Sequence, residues 1–203
     1  MRAFYQRVAA MLTPGVGFLL ALWIGLFLTS RFYPLRDWLA LSGPAVWHGQ
    51  VWRLASYAAL PASWPDLLMS SIALVWFGGT VERFWRAGEF LLYCLVAAAG
   101  AGLVKVALQY FSPGALLGPG PVCFALLAAY ARLCAQDAVM RQTVILFAVI
   151  SVLLLGSVAG VISAVIALSG GACGLGYLWL RSEWRRPRGG QNAVSQRISR
   201  LEL

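Results

Sequence analysis

Residues 117–130 read LGPGPVCFALLAAY, with Gly118, Pro119, Gly120 and Pro121 directly ahead of an apolar run. Proline is tolerated in the first turn of a helix, because the N–H it lacks would have no helical partner there. Glycine leaves room for another backbone to come close. The stretch predicts a helix that opens on these glycines and prolines and continues into an apolar segment. Its opening turn is held tightly against a neighbour. Whether that tightness serves chemistry or packing depends on what the rest of the chain can bring to it.

The rest of the chain is equally apolar. Of 203 residues, 61% are hydrophobic and 11% charged, and the mean hydropathy is +0.76. A soluble domain of this length cannot hide so much apolar surface, so lipid must act as its solvent. A helix needs about 20 apolar residues to cross the hydrocarbon core. Such runs lie at residues 15–30, 67–84, 90–110, 117–134, 143–156 and 161–180. The expectation is an all-α, polytopic membrane protein built as a bundle of six transmembrane helices. Nine tryptophans fit that setting, since indoles favour the membrane–water boundary.

The charges divide by side. Twelve of the sixteen basic residues fall on the side of the two termini, against Arg31, Arg36, Arg53 and Lys105 on the other. That bias predicts both termini in the cytoplasm, as in a bacterial inner (plasma) membrane. The net charge of +9 then faces anionic headgroups of the lipid bilayer, and nucleic acid is not expected as a partner. Residues 1–186 read as one membrane domain and 187–203 as a basic cytoplasmic tail. Residues 31–64 interleave Arg31, Arg36, Asp37, His48 and Arg53 with Trp38, Trp47, Trp52, Tyr57 and Trp64. This first loop reads as an amphipathic element lying in the outer interface.

The inventory for chemistry is thin. There is one histidine, His48, in the interfacial loop, and one lysine, Lys105, near the outer end of a span, where snorkelling is expected. A serine nucleophile needs a histidine or lysine beside it. Cys94, Cys123, Cys134 and Cys173 sit inside apolar runs without metal-site spacing, so neither a metal nor a cofactor is expected. In Ser63-Trp64-Pro65-Asp66 we read a capping box, with Ser63 as N-cap and Asp66 reaching back from the first turn. The last span carries Gly170, Gly171 and Gly174. A G-x-x-x-G of this kind lets two membrane helices approach closely, and with Gly118 and Gly120 it predicts contact between the fourth and last spans.

In order along the chain, four segments resemble motifs of the rhomboid intramembrane proteases and their inactive relatives. Gly49-Gln50-Val51-Trp52-Arg53 is similar to the family's G-x-x-W-R, and Phe77-Gly78-Gly79-Thr80-Val81-Glu82-Arg83 to its F-G-x-x-x-E-R. Residues 118–127 resemble the G-x-S-G-x-x-F-A-L-L opening of the fourth helix, and Ser169-Gly170-Gly171 the stretch after the catalytic histidine. The resemblance implies a rhomboid-like six-helix bundle. It also puts Gly120 at the position of the nucleophilic serine and Leu168 at that of the histidine. Asp66 and Ser70 fall at the family's His and Asn positions, and Pro121 replaces the glycine whose N–H helps form the oxyanion hole.

The functional expectation is therefore a pseudoprotease: an inactive rhomboid-like protein that binds transmembrane segments of client membrane proteins. Ser70, Ser71, Ser163 and Ser169 are the candidate contacts. The alternative is a divergent rhomboid serine protease that pairs another serine with Lys105. A channel or transporter would place polar residues midway along several spans, and here they are scarce.

Overall fold

A computed structural model of the protein describes residues 13–109, 114–133, 142, 146, 148–149 and 161–185. The apolar run at 143–156, Cys134 and the basic tail at 187–203 lie outside the described residues, apart from positions 146, 148 and 149.

The chain begins with α1 (Pro14–Thr29), whose first residue is the proline its opening turn tolerates. The first loop then folds into three short helices, α2 (Leu35–Leu39), α3 (Gly43–Trp47) and α4 (Arg53–Ser56), and a 3-10 turn at Tyr57–Ala59. It exposes Phe32, Trp38 and Trp47 while burying Leu41, Tyr57 and Leu60, the two-faced character expected of an interfacial element. Helix α5 (Trp64–Ala73) passes through a π turn at Leu74–Gly78 into α6 (Gly79–Phe84). Helix α7 (Ala87–Ala107) follows, then α8 (Gly120–Leu133) and α9 (Val161–Arg185).

Among the described residues there is no strand, only an isolated antiparallel bridge between Leu41 and Leu116. Three helical stretches are long and apolar enough to cross a membrane: Trp64–Phe84, Ala87–Ala107 and Ile162–Arg181. Pro14–Thr29 and Gly120–Leu133 are apolar but shorter. Phe18, Ile72, Leu95, Leu103 and Trp179 are all exposed, and side chains of this kind on such helices meet hydrocarbon rather than water.

Helix α8 is the hub: it packs against α9, α7, α5, the π turn and α6. Its Ala125, Leu126 and Ala129 are fully buried, small or flat enough for neighbours to close in on every side. Tyr93 of α7 donates its hydroxyl to the Ala125 carbonyl at 2.6 Å. A Cβ on Gly174 of α9 would collide with that same hydroxyl. Three helices thus meet at one hydrogen bond. The first loop is tied to α7 likewise: Tyr57 donates to the Ala98 carbonyl at 3.0 Å, and a Cβ on Gly102 would press into the Leu54 backbone.

One expectation about α7 changes. Lys105 does not snorkel at the edge of the bundle; it is 3% exposed. It lies one turn beyond Gly102, the residue on which α4 packs.

Candidate functional site

The opening turn of α8 meets the opening turn of α5. Ser63 caps α5 from an extended conformation, its hydroxyl accepting the Asp66 N–H at 3.3 Å. The Asp66 carboxylate does not return to Ser63, as a full capping box would require. It reaches one residue further and accepts the Ala62 N–H at 2.9 Å, while its other oxygen accepts the Ser70 hydroxyl at 3.3 Å. Asp66 is therefore a cap and a bridge along α5 together.

Gly118 lies directly over this carboxylate. Its φ of +121° is in the region L side chains avoid, and a Cβ there would stand 2.9 Å from Asp66 Oδ2. The Gly118 N–H donates to the Tyr57 carbonyl at 3.2 Å, which anchors the approach to α8 onto the first loop. The expectation that Gly118 packs on the last helix is thus corrected: its tight neighbour is α5. Gly120 is also not a packing glycine, since a Cβ there would meet nothing within 4 Å. There is room at that position for a side chain the sequence does not supply.

The contact between α8 and α9 falls where the G-x-x-x-G predicts. A Cβ on Gly170 would drive into the Pro121 carbonyl, one on Gly171 would touch Phe124, and one on Gly174 would meet Ala125 as well as Tyr93. This contact sets the register of α9. Leu168 is 47% exposed, whereas Ala167 is 2% exposed. A step of three or four residues back from Gly170 along the same helical face lands on Ala167 or Ile166. The residue turned toward the opening of α8 is therefore Ala167, and Leu168 points away. Neither side chain can accept a proton.

The remaining candidates are dispersed. Ser70 is 5% exposed and engaged by Asp66, and the Cys123 thiol faces its carbonyl at 4.0 Å. Ser71 follows it on α5, half-buried. Ser163 and Ser169 are half-buried on α9, and Ser169 donates to the Ile166 carbonyl of its own helix at 2.6 Å. The four serines sit on two helices that both pack on α8. His48 is exposed at the end of α3. Among the described residues no group of His, Cys, Asp or Glu could hold a metal ion.

Glu82 is a residue whose role the sequence left unread. It is 4% exposed, and it accepts the Gly15 and Val16 N–H groups at 2.7 and 2.8 Å together with the Thr13 hydroxyl. A carboxylate from α6 thereby caps the N-terminus of α1 across the bundle. The signal was a lone acid closing an apolar run, followed by Arg83.

Apolar helices long enough to span, packed around α8, make this an integral membrane protein. The Rhomboid domain family model matches residues 48–184, about two thirds of the chain. The chain belongs to the rhomboid family. No curated protein matches the chain.

Proposed function

We propose that this rhomboid-family protein is catalytically inactive and binds transmembrane segments of client membrane proteins. The observation that carries the reading is the start of α8. Gly120 has open space where a nucleophile would stand, Pro121 has no N–H to offer an oxyanion, and the buried α9 residue near that level is Ala167. An unaided serine hydroxyl is a poor nucleophile, and helix α8 contains no serine at all. The chain's one histidine is exposed in the loop. What stays is a tightly braced frame with a gap at its mouth, where a helix in hydrocarbon could present groups that lack partners.

In this reading the chain crosses a bacterial inner membrane six times with both termini inside, and the tail at 187–203 lies on anionic headgroups. The experiment is site-specific photo-crosslinking in native membranes, with the photoreactive residue at Gly120 or Ser71. The reading predicts adducts with integral membrane proteins through their spanning segments, and no labelling by a fluorophosphonate. Fluorophosphonate labelling that one serine replacement abolishes would establish the divergent protease instead.

A further inference from the structure

We propose that a groove between α1 and α7 binds one acyl chain of a bilayer phospholipid. The groove has a volume of about 270 Å³. Its floor is Trp23, Ala58, Cys94, Ala98 and Val122, all 5% exposed or less. It therefore reaches from the outside of the bundle to helix α8. Its rim includes Phe18 and Leu95, 58% and 54% exposed, so its mouth opens on the apolar face. Cys94 to Ala98 lie near the middle of the 21-residue α7, which puts the groove at mid-depth in the hydrocarbon.

The space exists because the first loop presents alanines there. Ala55, Ala58 and Ala59 stand opposite Ala98, where larger side chains would close the gap. Protein interiors are packed densely, and a void of this size forfeits the contacts of every side chain around it. Elimination then identifies the occupant. Water needs two to four polar partners, and the lining is aliphatic and aromatic apart from one indole and one thiol. A partner helix is about 10 Å across, whereas α1 and α7 pack directly against each other, so the cleft between them is too narrow to admit one. A flexible hydrocarbon chain is slim enough, needs no polar partner and surrounds the mouth at that depth. Bound there, it would fill the joint between α1, α7 and the first loop, beside the Tyr57–Ala98 hydrogen bond.

The full chain is reconstituted in phosphatidylethanolamine–phosphatidylglycerol vesicles that contain phosphatidylglycerol spin-labelled midway along one chain. Electron paramagnetic resonance reads the motionally restricted fraction. The wild type is expected to show a slowly exchanging restricted component that Ala98→Phe loses. Ala59→Leu, at the loop side of the groove, is expected to lose it too and keeps the test valid if Ala98→Phe does not fold. Circular dichroism verifies folding for both. An unchanged restricted component in a folded variant would overturn the proposal. So would displacement of the component by a transmembrane peptide but not by unlabelled lipid, which would assign the groove to a helix.

Discussion

The span Trp64–Phe84 carries a carboxylate near each end, and the two are used differently. Glu82 is buried and accepts from two backbone N–H groups and a hydroxyl of another helix. Asp66 is half-buried and accepts from one backbone N–H and one hydroxyl, both within four residues of it. One acid ties two helices together over a long stretch of chain; the other completes a local turn beneath the glycine that opens α8. In lipid an unmet backbone group has no water to turn to, so the Glu82 end tolerates little change. The Asp66 end lies beside the opening turn of α8, where Gly120 leaves a gap.

That contrast can be broken by substitution, and the largest effect is expected at Glu82. Glu82→Ala would strip the α1 N-terminus of charge-assisted bonds and leave buried N–H groups unmet, a loss of about 3 kcal/mol or more. Thermal unfolding in mild detergent should show it as a clear fall in Tm, with Glu82→Gln intermediate. Next comes Gly170→Leu, which would force α9 off the Pro121 backbone. Overpacking of this sort costs about 1–3 kcal/mol. Gly120→Ala is the matched control and should be nearly silent, since nothing stands near its Cβ.

Tyr93→Phe keeps the edge-to-face contact with Trp85 but removes the hydroxyl bonded to Ala125, at a cost of about 1 kcal/mol. Loss of protection at α8 amides in hydrogen exchange would locate the effect. A smaller loss is expected for Asp66→Asn, which keeps an acceptor for the Ala62 N–H and should cost less than about 1 kcal/mol. A destabilisation by Asp66→Asn equal to that of Glu82→Ala would erase the distinction between the two ends. The mutation should alter crosslinking at Gly120 more than it alters Tm, because Asp66 borders the gap rather than the frame.

Much of the frame was legible in the sequence because lipid simplifies the code. Apolar runs near the length of a bilayer, glycines at a spacing of four, and Pro65 two residues after Ser63 each mean one local thing wherever they occur. The Ser63 cap and the Gly170–Gly174 contact appear as expected for this reason. Register was harder. Reading the histidine position from the string Ser169-Gly170-Gly171 led to Leu168, while the helical face counted back from Gly170 and Gly174 leads to Ala167. A motif aligned by letters ignores the 100° turn between neighbouring residues, and only the face pressed against α8 decides which of two adjacent side chains looks inward.

The sequence by itself determined that this chain lives in a membrane, folds as helices and carries its one imidazole in a loop, since these follow from composition and local spacing. Tertiary structure alone decided that Glu82 caps a helix some 67 residues earlier in the chain, that Lys105 is buried, and that Gly118 leans on Asp66 rather than on α9. The reason is physical: a buried charge or a missing Cβ records that a neighbour is close, and long-range packing chooses which neighbour it is.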